Sequence, residues 1–323
     1  MRQGLKNLLT ACLAAAALSA PAARAAWPEK PIRFVVPYAA GGAADALART
    51  VATELTQRLK QSVIVENKPG AGGTIGAMTV ASAPADGHTF LYDATAFAVN
   101  PSLYPKLGFS YGKDFVPIAM VARIPTLLVV PANSRFNSVA ELVTYAKANP
   151  GKLSYASAGN GGAAHLSGEL FKQGHGLAIV HIPYRGGAPA LTDLSGGTVD
   201  LMFSAVTASG PLVKAGRIKA LATAYDSRLE GMPETPTIAE TGLKGFSAYE
   251  WNGIFAPAGT PPDIVRRMET EMREVLSSPA MRERLQGQGA LPASGGAKEL
   301  DDFVAAETAK WARVIKAARI TID

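Results

Sequence analysis

The stretch Ser154-Tyr-Ala-Ser-Ala-Gly-Asn-Gly-Gly-Ala-Ala-His-Leu-Ser-Gly-Glu169 reads as strand, glycine loop and helix in one run. An earlier segment, Phe34-Val-Val-Pro-Tyr-Ala-Ala-Gly-Gly-Ala-Ala-Asp45, repeats the design. A helix entered through glycines offers free backbone N–H groups and the positive end of its dipole, which together suit an anion. Two such elements predict one ligand held from two sides.

Outward from these segments, β-branched and apolar runs recur at 32–36, 63–65, 89–92, 118–121, 127–130, 153–156, 179–182, 201–203 and 218–222, and read as buried strands. Helical patterns alternate with them. Leu47, Val51, Leu55 and Leu59 place one apolar stripe on a helix that starts near Asp45. Ser138 and Glu141 spell a capping box, and Asn149-Pro-Gly151 ends that helix. Two helical stretches close the chain, one from Asp263 with Met268, Met272 and Val275, the other with Phe303, Trp311, Val314 and Ile315. The alternation predicts an α/β fold. No long linker divides the chain, so the expected divisions are two extended crossovers, near Arg123-Ile-Pro-Thr126 and Ser247-Ala-Tyr-Glu-Trp-Asn-Gly253. They give a first lobe of 26–124 plus 249–323 and a second lobe of 125–248, inserted into the first.

Arg2 and Lys6 precede an apolar run from Leu8 to Ala20, and Ala23-Arg-Ala25 fits a small-residue cleavage site, so 1–25 reads as a secretory signal peptide. The formal net charge is +6, but taking Arg2, Lys6 and Arg24 from the 32 Lys and Arg leaves 29 against 26 Asp and Glu, a net +3. No basic block remains to mark a nucleic-acid surface. The single cysteine, Cys12, falls within the leader, so the exported chain has neither a disulfide framework nor thiol chemistry. About 298 remaining residues suffice for two cores.

Gly159-Asn-Gly161-Gly-Ala-Ala164 fits G-x-G-x-x-A, the dinucleotide fingerprint, but no acidic residue follows at the spacing that would hold a ribose. His165 and Glu169 are four apart on the expected helix, yet His88, His175 and His181 are scattered and H-E-x-x-H is absent, so neither metal nor cofactor is expected. A nucleophile elbow and a P-loop are also missing. Several residues keep two readings. Asp45 is a ligand partner or a helix cap. Arg185, in the turn Tyr184-Arg-Gly-Gly187, is a carboxylate fork or a solvent-facing side chain. Asp200 is a turn residue or a polar contact across a cleft. Thr95, Phe97, Tyr184, Ser204 and Thr207 are taken to face that cleft, with Tyr38 and Phe97 either stacking on a ligand or packing in the core.

Spaced motifs then carry a resemblance. They are Trp27-Pro-x-Lys-Pro-Ile-Arg-Phe-Val-Val-Pro37, Gly41-Gly-x-x-Asp45-x-x-x-Arg49, Val65-Glu-Asn-Lys-Pro-Gly-Ala-Gly-Gly73, Asn100-Pro-Ser-Leu-Tyr104, Gly159-x-Gly-x-x-x-His165, Pro183-Tyr-Arg-Gly186, Gly196-Gly-x-Val-Asp200 and Trp251-Asn-Gly. The chain resembles the solute receptors of tripartite tricarboxylate transporters, the Bug family. That resemblance implies a two-lobed periplasmic binding protein, type II-like, with two Rossmann-like lobes, acting as a monomer. It also implies a small organic acid in the cleft and membrane permease subunits as partners, without catalysis. The ligand carboxylate would be held by the first-lobe loop, Tyr38, Ala39, Ala40, Gly41 and Gly42, and by the second-lobe loop, Ser157, Gly159, Asn160, Gly161 and Gly162; His165 is a further ligand candidate or a helix-capping or core residue. An exported enzyme acting on a carboxylate, and a ligand-sensing domain feeding a sensor kinase, are the alternatives.

Overall fold

The computed structural model describes residues 27–293 and 295–322, so the expected leader lies outside the described residues. Its strands form two mixed sheets. In chain order the first sheet contains β1 (Ile32–Val36), β2 (Val63–Asn67), β3 (Thr89–Ala94), β4 (Phe115–Ile124), β10 (Glu250–Pro257) and β11 (Leu291–Pro292). The second contains β5 (Thr126–Pro131), β6 (Ser154–Ser157), β7 (Val180–Pro183), β8 (Leu201–Ala205) and β9 (Ile218–Thr223). All nine strands expected from the sequence are present, with ends shifted by a few residues.

The two sheets share one wiring. In the first, the order is β11-β4-β10-β3-β1-β2, with β1 parallel to β2 and β3, and β10 antiparallel to β3 and β4. In the second, the order is β7-β6-β8-β5-β9, with β6 parallel to β7 and β8, and β5 antiparallel to β8 and β9. Strand β10 therefore holds in one sheet the place of β5 in the other. Each enters its sheet directly after the chain has crossed from the other sheet.

The segment expected to be the second hinge is thus largely a strand. The chain returns to the first sheet through 224–249, which is tied to the first crossing. Thr126 Oγ1 donates to Ala248 O at 2.6 Å, Ala224 N to Thr126 O at 2.8 Å and Ala248 N to Ala224 O at 2.9 Å.

Helix α1 (Ala43–Leu59) follows β1 and buries Leu47, Val51 and Leu55 against Phe34, Met268 and Met272. The remaining helices are α2 (Thr74–Ala81), α3 (Ala96–Leu103), α4 (Val139–Ala148), α5 (Ala163–His175), α6 (Gly187–Ser195), α7 (Val206–Lys214), α8 (Pro262–Ser277), α9 (Pro279–Gly287) and α10 (Ala297–Ala318). At α4 the Ser138 hydroxyl accepts from Glu141 N at 3.2 Å, as the capping pattern requires, although Glu141 bonds Asn137 N instead of Ser138 N. The stripe of α10 places Trp311, Val314 and Ile315 in a core shared by both lobes, and Gln173 of α5 donates to Val314 O at 3.1 Å. No described helix is long and apolar enough to cross a membrane.

Candidate functional site

The loops after β1 and β6 have matching backbones. Gly41 and Gly161 adopt φ of 82° and 72°, where a side chain would be strained. Gly42 and Gly162 are extended N-caps with φ/ψ of −77°/169° and −74°/166°, and neither α1 nor α5 has a side-chain cap. The first-turn N–H groups of both helices are consequently left for other acceptors. Both loops lie at the carboxyl ends of parallel strands, where open α/β sheets take ligands.

A different side chain braces each loop. Asp45 Oδ2 accepts from Gly41 N at 2.9 Å and Arg49 Nε at 3.1 Å, while Oδ1 accepts from Asn67 Nδ2 at 2.9 Å. The Arg49 bond is the main reason that its carboxyl is held down at about 2, against the opposing effect of burial. Asp45 is neither the N-cap nor a wall of the cavity. In the second loop, Gly161 N donates to His165 Nδ1 at 3.0 Å, which fixes the ring as a neutral acceptor with its proton on Nε2. The His165 ring stacks on His181 at 3.8 Å, so two histidines that look scattered in the sequence are partners. Burial lowers both, His181 to about 4 with the neighbouring imidazole as a second cause.

The loops face one cavity of about 560 Å³, within the roughly 300–1,000 Å³ usual for small-molecule sites. Tyr38, Ala39 and Gly42 line it from the first lobe and Asn160, Gly161 and Gly162 from the second, with Thr95 at the end of β3. Tyr38 donates to Asp93 Oδ1 at 2.7 Å, and burial raises the Asp93 carboxyl to about 7. Gly161 packs close to the first lobe, since a Cβ built there would lie 2.5 Å from Leu103 Cδ1.

Other expected site residues lie elsewhere. Ala40 and Gly41 are exposed at the first loop without lining the cavity. Phe97 is in the core, stacked on Phe255 at 3.8 Å, because α3 turns it inward onto β10. Ser157 is fully buried beneath the second loop, its Oγ 3.2 Å from Gly159 N and 2.6 Å from His181 Nε2. Ser157 and Gly159, like His165, therefore shape the loop from behind. Tyr184 donates to Asp193 at 2.7 Å, away from the cavity, and Arg185 is exposed without a hydrogen bond among the described residues. Asp200 accepts from Ser154 N and Oγ at 2.8 and 3.1 Å, which ties down the end of β6 opposite the loop. Ser204 is buried inside β8, and Thr207 lines a separate cavity beside Gly289.

The sequence reading omitted other walls of the cavity. The Gly70–Gly73 loop lies opposite α3, pinned by Asn100 Nδ2 on Gly72 O at 3.0 Å, and Tyr104 packs against Gly72 so closely that no Cβ would fit. Ile124 with Glu250 and Asn252 of β10, and Ile322, are further lining residues. For 70–73, Asn100, Tyr104 and Asn252 a signal was available, since the 65–73, 100–104 and 251–253 motifs carried the resemblance; Ile124, Glu250 and Ile322 lie outside those motifs. Among the described residues no group of three His, Cys, Asp or Glu could hold a metal ion.

Comparison with known proteins converges on one family. Residues 47–320 match the model described as tripartite tricarboxylate transporter family receptor. Protein BugT of Bordetella pertussis is 36% identical over 306 residues, spanning 94% of this chain and 94% of its own. Among solved structures, R. palustris Rpa4515 with adipate is 38% identical, with a TM-score of 0.80, covering 91% of this chain and 99% of that one. MatC (Rpa3494) from Rhodopseudomonas palustris with bound malate is 32% identical with a TM-score of 0.76, covering 90% and 100%. The paired glycine loops, the doubled sheet wiring and these matches over nearly the whole length agree, and the chain belongs to the tripartite tricarboxylate transporter receptor family.

Proposed function

We propose that this chain is a periplasmic receptor that binds a small organic carboxylate between its lobes and presents it to the membrane permease of a tripartite transporter. The observation that carries the reading is the pair of uncapped helix starts, Gly42 and Gly162, facing one cavity from opposite lobes. An anion there meets N–H groups and positive dipole ends from both sides, each worth about 0.3–1 kcal/mol or more when partly buried. Both sets are engaged together only when the lobes are close, so the ligand favours the closed state over the open one. The bonded crossings at Thr126, Ala224 and Ala248 are the natural axis for that motion. The adipate and malate named for two related structures support the carboxylate class. Binding and release, without turnover, is the activity assigned.

The test is a thermal-shift screen of the purified protein against organic acids, with native mass spectrometry of the unsupplemented sample. A rise of several degrees with carboxylates, or a co-purifying acid that leaves unchanged, supports the receptor. Turnover of an acid, or a flat response with no trapped ligand, would overturn it.

A further inference from the structure

The cavity is chemically two-ended. Its loops offer backbone donors, whereas its β10 wall offers acceptors. Residues two apart on a strand share a face, about 7 Å from each other, so Glu250 and Asn252 point the same way. Glu250 is paired opposite Ile124, and Asn252 opposite Ala94 and Ala122, which sets both at the cavity end of the sheet. Asn252 is 2% exposed, and its Oδ1 has no hydrogen-bond partner among the described residues. The Thr95 hydroxyl, beside Ala94 at the same end, is also buried and unpartnered there. Buried polar atoms in this condition are uncommon and call for a ligand or water.

Glu250 is the only charged side chain lining the cavity, and no ion pair or hydrogen bond engages its carboxylate among the described residues. The nearest candidate cation in the strand pairing, Arg123, belongs to the opposite face. Its guanidinium lies 6.0 Å from the Tyr249 ring and 5.7 Å from the Phe303 ring, and 3.7 Å from Glu299. Burial pushes the Glu250 carboxyl upward, as expected for an acid without a cationic neighbour.

We propose that Glu250 and Asn252 form an ammonium-accepting end of the cavity, so that the chain selects a carboxylate that also carries a protonated amino group over a plain dicarboxylate. The inference rests on the reading of the two loops as the carboxylate end. An ammonium supplies three donors and a positive charge, which match one amide oxygen, one hydroxyl and one carboxylate. A second carboxylate in the same place would face Glu250 as a like charge. The proposal departs from the adipate and malate named for the two related structures, and its source is the charge on β10.

Matched acids that differ only in the amino group test it: glutamate against glutarate, leucine against 4-methylpentanoate, and phenylalanine against 3-phenylpropanoate, titrated calorimetrically into the wild-type protein and into Glu250→Gln. The expected result is that the amino acid of at least one pair binds tenfold or more tightly than its deaminated partner, and that Glu250→Gln brings the ratio near one. The wild-type comparison stands alone if the variant fails to fold. Equal or tighter binding of the deaminated acids would overturn the ammonium end and leave the carboxylate receptor standing. A ratio unchanged in a folded Glu250→Gln would also overturn it. If no member of any pair binds while another carboxylate such as adipate or malate does, the ammonium end is overturned and the receptor stands; if no carboxylate binds at all, both readings fall.

Discussion

The two glycine loops are near copies in backbone and unlike in their bracing. Each has a left-handed glycine followed by an extended glycine N-cap, and in each the N–H of the first glycine is taken by the side chain four residues on. In the first lobe that acceptor is Asp45, an anion fixed by Arg49 and Asn67. In the second it is His165, a neutral imidazole stacked on another. The requirement is for an acceptor that turns one amide away and leaves the next ones free, and charge is not part of it. A carboxylate meets the need with a companion cation, an imidazole without one.

The sharpest way to break the equivalence is to add a side chain at the matched glycines. Gly161→Val meets both a positive φ and Leu103 across the cleft. We expect it to weaken binding of any responsive acid by about 100-fold, equivalent to about 2.7 kcal/mol, while the protein still unfolds cooperatively. Gly41→Val meets open space and only the left-handed strain of about 1–2 kcal/mol. Equal losses of affinity in the two, read by calorimetry, would show that the lobes do not close on Gly161.

Next in size is the loss of the braces. Asp45→Ala removes the acceptor of Gly41 N and one acceptor each of Asn67 Nδ2 and Arg49, which keep Tyr38 O and Asn67 Oδ1, and should lower stability by about 1–2 kcal/mol in urea titration. His165→Ala strands one N–H and should cost about 1 kcal/mol for that bond, plus the lost stacking on His181. A larger loss from the histidine would reverse the ranking of the two braces.

Acidification separates the lobes with the smallest effect. His165 and His181 have folded values lowered from 6.5, so the stability they contribute is present above about 6.5 and is lost as pH falls toward about 4. Asp93 is raised to about 7, so its contribution is present at low pH and is lost as pH rises through 7. Asp45, at about 2, stays ionised throughout. Between pH 7 and 5, amide protection factors, which take out the intrinsic pH dependence of exchange, should fall around 157–165 and rise around Asp93. Uniform change across both lobes would contradict this difference.

Legibility in the sequence followed locality. Runs such as 32–36 and 218–222 announce strands because each residue is buried by its own neighbours in the sheet, and Ser138 announces a helix start because its bond closes within three residues. The stretch from Ser247 was expected as an extended crossing, and its residues 250–253 run on as the start of β10 because their partners in β3 and β4 lie far away in the sequence. Phe97 kept two readings in the sequence, ligand platform or core, and α3 places its ring in the core by stacking it on Phe255. Arg185 and Asp200 drew notice by their places at strand ends and in spaced motifs, and neither place says which way a side chain points.

What the chain determined by itself was the pair of strand–loop–helix elements, the α/β alternation and the resemblance to one family, because dihedral preference, side-chain period and motif spacing are properties of adjacent residues. What only the tertiary structure decided was which acceptor braces each loop, that β10 and β5 hold matching places in the two sheets, and that Glu250 lines a cavity whose other walls include 37–39, 42–44, 94–96 and 160–163. A cavity is made by segments far apart in sequence, and its charge and shape exist only once packing has brought them together.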